Sequence, residues 1–245
     1  AFMNPGGLRA NLTYASSGAT DPDGNLTYKE AATVQPFANT LVTMSLTGAQ
    51  VVSVLEEQWQ PAGAQRPFLK LGVAGLTYTY DPTAAAGDRI AGVMVGDTPL
   101  DLAGSYKVVV NSFLSSGGDN FVTFAAGTGR ADSGRVDLQA FVDYVGAFTP
   151  ISPDLAQRAV GVQLVDVPTD GYLPGDTVTV NLSSLLFSGG EAQATEVTLT
   201  AGDWLLVAAL GLGPLGGAFF LWDAAIKQGD TRRIGLLAFA TPILS

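Results

Sequence analysis

Hydrophobic residues along this chain alternate between two spacings, and the changes of spacing mark its elements. Thr27-Tyr28-Lys29-Glu30 has the form of a capping box, in which a Thr hydroxyl and a Glu carboxylate satisfy each other's backbone N–H groups. It predicts a short helix through about Val34, stopped by Pro36. Thr40–Leu46 is β-branched and apolar and predicts a strand. A second capping box, Thr47-Gly48-Ala49-Gln50, opens a helix on which Val51, Val52, Leu55 and Trp59 fall on one face. Leu76–Tyr80, Ile90–Val95 and Tyr106–Val110 predict strands between Pro/Gly/Asp turns. Leu138, Phe141, Val142, Val145 and Phe148 then recur at helical spacing before Pro150 and Pro153, and Val160–Val165 predicts one more strand. Helices and strands follow one another without a regular βαβ alternation. The expected fold is therefore α+β, a mixed sheet with packed helices.

Turn chemistry fills the gaps. Asn4-Pro5-Gly6-Gly7-Leu8-Arg9 combines a fixed φ at Pro with two glycines, so a tight turn is expected directly after the apolar Phe2 and Met3. Asp21-Pro22-Asp23-Gly24-Asn25 is a turn and not a calcium loop, because the glycine is misplaced and no acidic residue closes it. After Pro168 the character changes. Thr177–Leu182 and Glu196–Thr200 suggest strands of a sandwich that two or three strands cannot complete. The run from Trp204 to Trp222 is uncharged over its whole length, and Arg232 and Arg233 follow it. A helix of that length spans a bilayer core of about 30 Å. Gly211, Gly213, Pro214, Gly216 and Gly217 would weaken such a helix, so a membrane anchor through 204–222 and a truncated module both stand open. The expected division is 1–167 for a folded domain, 168–202 for a partial β-rich segment and 203–245 for an apolar tail.

Composition narrows the chemistry. Hydrophobic residues are 47% and charged residues 14% of 245, enough apolar material for a real core. The chain has no cysteine and no histidine. Thiolate chemistry is excluded, and with histidine go the commonest general base and the commonest transition-metal ligand. A formal net charge of −10 repels a phosphate backbone, so no nucleic-acid partner is expected. A local cationic group can still hold one phosphate. The opening Ala1-Phe2-Met3-Asn4 has no basic stretch followed by an apolar one, so no signal peptide is expected there, and it reads as the interior of a longer protein.

Three stretches, Asn4-Pro5-Gly6-Gly7-Leu8-Arg9, Val34-Gln35-Pro36-Phe37 and Asn111-Ser112-Phe113-Leu114-Ser115-Ser116-Gly117-Gly118-Asp119, occur in this order around the strand and helix of Thr40–Gln58. Together they resemble the C-terminal domain of the 5'-nucleotidase, UDP-sugar hydrolase and cyclic-nucleotide phosphodiesterase family, over roughly residues 1–165. The resemblance implies a domain that holds the nucleoside, joined by a rotating linker to an N-terminal metallophosphoesterase domain whose divalent metal ions do the hydrolysis. It implies no cofactor and no catalytic residue in this chain. By that resemblance Asn4 and Gly6 line the base site, Arg9 binds phosphate, Phe37 and Phe113 sandwich the base, and Asp119 holds the ribose hydroxyls. The residue types suit those roles. Aromatic faces stack on flat bases, an amide offers donor and acceptor, a guanidinium forks onto phosphate, and a carboxylate accepts from vicinal hydroxyls. The Gly117-Gly118 pair would let backbone approach a ligand closely. The function expected is nucleotide recognition within an extracellular or cell-surface phosphohydrolase of nucleotide catabolism. The alternative is a non-catalytic nucleotide-binding or cell-surface module.

Overall fold

The computed structural model describes residues 1–152, 154, 156–169, 171 and 177–186. The expected strand at Glu196–Thr200 and the apolar run 204–222 lie outside the described residues. The elements are, in chain order, β1 (Phe2–Met3), α1 (Tyr28–Val34), β2 (Thr40–Thr47), α2 (Gly48–Glu56), β3 (Gly72–Val73), β4 (Thr77–Tyr80), β5 (Ile90–Val95), β6 (Thr98–Pro99), β7 (Ser105–Asn111), α3 (Ser112–Ser115), β8 (Thr128–Val136), α4 (Asp137–Ala147), β9 (Ala159–Val165) and β10 (Thr179–Ser183). The fold is α+β. Among the described residues no helix is long and apolar enough to cross a membrane.

The described residues divide into two compact units, one within 1–79 and 83–159, the other within 80–82 and 160–186. In the first unit, β2 is the centre of a three-stranded sheet with β7 and β8 antiparallel on either side. Alternate β2 residues Val42, Met44 and Leu46 are buried, as the two-residue period of a strand requires. Val108 and Val110 of β7 lie in the same core. Both capping boxes form. Thr27 accepts from Glu30 N while Glu30 accepts from Thr27 N, and Thr47 and Gln50 repeat the exchange at the start of α2.

The buried face of α2 and its following turn is Val51, Val54, Leu55 and Gln58, one step round from the face expected on apolar content. Trp59 lies past the last helical residue, where its ring packs against Phe68 at 5.0 Å and under the Arg89 guanidinium at 5.1 Å. Phe2 of β1, with Phe121 and Phe124 from the 3-10 turns after α3, closes the core. Phe2 meets Phe124 edge-on at 5.4 Å.

β8 was not expected from the sequence. Its residues are exposed except for the partly covered Val136, and its pairing with β2 shifts register twice, between Thr40 and Val42 and between Thr43 and Ser45. α4 forms where helical spacing predicted it, but Phe148 falls beyond its end and stays exposed against Tyr144. In the second unit β9 and β10 form an antiparallel pair, from Val165 opposite Thr179 to Gly161 opposite Ser183.

Candidate functional site

The 3-10 turn Pro5–Gly7 follows β1 directly and leaves Asn4 at its start, 4% exposed. Leu8 N donates to Pro5 O, and Arg9 N donates to Val34 O at 2.9 Å, tying the turn to the end of α1. That tie sets Arg9 beside the residues that follow α1. Its guanidinium carbon stands 5.6 Å from the centroid of the Phe37 ring, a cation–π distance. Phe37 is 53% exposed and Phe113, on α3, is 45% exposed, so neither ring belongs to the core.

Across the site, Asn111 ends β7 and caps α3, its Oδ1 accepting from Leu114 N at 2.8 Å. The chain then turns sharply. Gly117 has φ 84°, and Asp119 and Asn120 take φ 54° and 62°, a left-handed pair that costs non-glycine residues about 1 kcal/mol or more each. Three bonds hold this unfavourable turn. Asn4 Nδ2 donates to Asp119 Oδ2 at 2.7 Å, Asn120 Nδ2 donates to Gln60 Oε1 at 2.7 Å, and Thr123 Oγ1 donates to Glu57 Oε1 at 2.7 Å.

Glycine matters here for a reason the motif did not reveal. A side chain at Gly118 would lie 2.5 Å from the Phe113 ring, so that ring rests against bare backbone on one side. Phe113 is thereby left one open face. At Gly6 a side-chain carbon would sit 3.6 Å from both Asn4 Nδ2 and Asp119 Oδ2, which places Gly6 over the same polar pair. The structure thus joins Asn4, Gly6, Phe113, Gly117, Gly118 and Asp119 in one contact group, with Arg9 and Phe37 paired beside each other. Ser112 Oγ donates to Asn39 Oδ1 at 3.4 Å, linking the segment after Phe37 to the start of α3. Sequence reasoning missed Asn111, Glu57 and Gln60. Asn111 heads the third stretch that carries the resemblance, yet no sequence signal assigned it a role of its own.

Burial raises the pKa of Glu57, against the lowering effect of its hydrogen bonds from the side chain and backbone of Thr123. A carboxylate with a raised folded pKa carries a penalty that is present above that pKa and is relieved as pH falls through it. Glu57→Gln removes the titration but keeps an acceptor for Thr123. Thermal melts of the variant and the parent are therefore expected to differ most in the variant's favour near pH 7, with the advantage shrinking toward pH 4. An advantage that stays constant over that range would disprove the role of Glu57 burial.

Among the described residues no three acidic side chains gather as a metal site requires, and the chain has no histidine.

Comparison with known proteins places the chain in a family. The model of the 5'-nucleotidase C-terminal domain matches residues 1–126, a stretch holding all eight candidate residues. A 5'-nucleotidase-related protein of Glossina morsitans morsitans is 31% identical over 166 residues, 64% of this chain and 28% of that protein. A cell wall protein of Listeria monocytogenes is 33% identical over 148 residues, 59% of this chain and 18% of the other. The crystal structure of a 5'-nucleotidase precursor from Thermus thermophilus superposes with a TM-score of 0.54 at 34% identity, covering 64% of this chain and 30% of that one. The fold and the matched stretch define a C-terminal domain of the nucleotidase type. The chain belongs to the 5'-nucleotidase C-terminal domain family. It spans between 18% and 30% of the length of these three relatives.

Proposed function

We propose that this chain is the nucleotide-recognising part of a 5'-nucleotidase-type phosphohydrolase, and that hydrolysis takes place on a metallophosphoesterase domain elsewhere in the full protein. The observation that carries this reading is the strained Asp119 turn, held by Asn4 next to the open face of Phe113. Non-glycine residues occupy left-handed backbone where the surroundings impose it, and such positions cluster at ligand sites. In this reading the Phe113 and Phe37 rings take the base, Asp119 accepts from ribose hydroxyls, and the exposed Arg9 guanidinium takes the phosphate. The likeness to a cell wall protein and to a 5'-nucleotidase precursor supports an extracellular or surface setting. Divalent ions would belong to the other domain.

Calorimetric titration of the full chain with AMP tests the proposal. Stacking on an aromatic side chain contributes about 1–3 kcal/mol per base, so Phe113→Ala is expected to weaken binding roughly tenfold. Gly118→Ala should approach that loss, because the added methyl displaces a ring that is half-exposed and free to swing away. The unaltered chain should release no phosphate from AMP. Absence of AMP binding by the chain, or full affinity in both variants, would sink the reading.

A further inference from the structure

Asn111 is 2% exposed and all its polar reach is spent inside the site. Its Oδ1 accepts from the backbone N–H of Leu114 at 2.8 Å. A backbone N–H only donates, so the oxygen of the Asn111 amide must face Leu114 and its nitrogen must face the other way. That nitrogen lies 3.0 Å from Asn4 Oδ1 and 3.5 Å from Met3 Sδ, both acceptors. The Asn4 amide is fixed in its turn. With its oxygen committed to Asn111, its nitrogen points at Asp119 and donates to Oδ2 at 2.7 Å. One backbone N–H at the start of α3 therefore sets the direction of two buried amides in series. Its last link leaves Oδ1 of Asp119 and the remaining lone pairs of Oδ2 for a ligand.

We propose that Asn111 is a positioning residue of this site: capped onto α3, it dictates the orientation of the Asn4 amide and through it the placement of the Asp119 carboxylate toward a ligand's vicinal hydroxyls. The proposal rests on the nucleotide-recognition reading and adds the device that aims its carboxylate. It also assigns Asn4 a second task, since an amide engaged on both ends within the protein keeps only one N–H and one lone pair for any base.

Asn111→Asp is the discriminating variant. A carboxylate caps α3 as well as an amide does, so the helix start is retained. It has no N–H for Asn4, however, and its second oxygen would turn the Asn4 nitrogen toward itself, presenting the Asn4 oxygen to Asp119. Asn111→Ser is the companion, keeping a cap acceptor and shortening the side chain so that it no longer reaches Asn4. Adenosine and 2',3'-dideoxyadenosine are the probes, titrated against the full chain. A hydrogen bond to a charged group sets an expected preference of about tenfold or more for adenosine in the unaltered protein. In both variants that preference should fall to within about twofold of unity, so that adenosine loses clearly more affinity than dideoxyadenosine, whose own loss is limited to the base contacts of the Asn4 amide. Adding Asn111→Asp to Asp119→Asn should change the preference no further.

A variant that melts as a folded protein and keeps the parental preference overturns the proposal and leaves the functional reading intact. An equal loss for both ligands also overturns it, because a merely structural role would give that result. An unaltered chain that binds neither probe overturns the functional reading and this proposal with it.

Discussion

Gly48→Ala is expected to destabilise the first unit by about 3 kcal/mol or more, a large share of the roughly 5–15 kcal/mol that holds a domain folded. Gly48 is the first residue of α2, and a side-chain carbon there would stand 2.0 Å from the carbonyl oxygen of Asp101 and 2.8 Å from Leu102 Cα. These are backbone atoms, with no rotamer to give way. The closeness has a cause. Gly48 N donates to Gly104 O and Ala49 N donates to Leu102 O, both at 2.9 Å, so two N–H groups that a helix start leaves without partners are satisfied by the turn leading into β7. Alanine would push that turn away and strip both bonds while overpacking the contact. Urea unfolding measures the effect as a fall in midpoint with an unchanged slope. A loss below about 1 kcal/mol would show that the 101–104 turn moves freely, contrary to this account.

The second large effect belongs to Gln58, a fully buried polar side chain. Its Oε1 accepts from Leu71 N at 2.8 Å and from Tyr78 Oη at 2.9 Å, and its Nε2 donates to Leu55 O at 2.8 Å. One amide thus joins the end of α2 to the segment before β3 and to β4. Gln58→Leu fills a similar volume yet removes all three bonds, leaving the buried Leu71 N–H without its acceptor. Each unmet buried group costs about 1–3 kcal/mol, and about 3 kcal/mol in total is expected. Gln58→Glu should recover part of this at low pH, when a protonated carboxyl can again donate to Leu55 O. The candidate site should feel the loss as well, because Glu57 and Gln60 on either side of Gln58 hold Thr123 and Asn120. Equal urea midpoints for Gln58→Leu and the parent would refute the role given to this network.

Legibility in the sequence followed the physics of each element. α1 and α2 were readable because their first-turn residues carry reciprocal caps, a local signal independent of the rest of the fold. β2 and β7 were readable because one face of each is buried. β8 was not, since Thr-Gly-Arg-Ala-Asp-Ser-Gly-Arg carries no apolar alternation and its strand character comes from pairing with β2. The buried face of α2 was misjudged by one step because Gln58, a polar residue, occupies an inward position that an apolar count skips.

In the site, the residue types were visible only through their resemblance to a family pattern, since nothing in the spacing of Asn4 and Asp119 announces a 2.7 Å contact across 115 positions. The role of Gly118 illustrates the limit. The sequence suggested close backbone approach to a ligand, and the structure shows the close approach of the Phe113 ring to this glycine.

The outer strand β8 has a consequence for how this protein behaves in company. A flat, apolar strand at the rim of a sheet invites another chain to add itself and grow a fibril or a clump. Here the rim carries Arg130, Asp132 and Arg135, bends at Gly129 and Gly134 where φ is positive, and changes register twice along its length. An incoming strand would meet charges to desolvate and a ladder of donors and acceptors out of step with its own. Crowded together on a surface or in a concentrated solution, neighbouring copies therefore find no template at this edge.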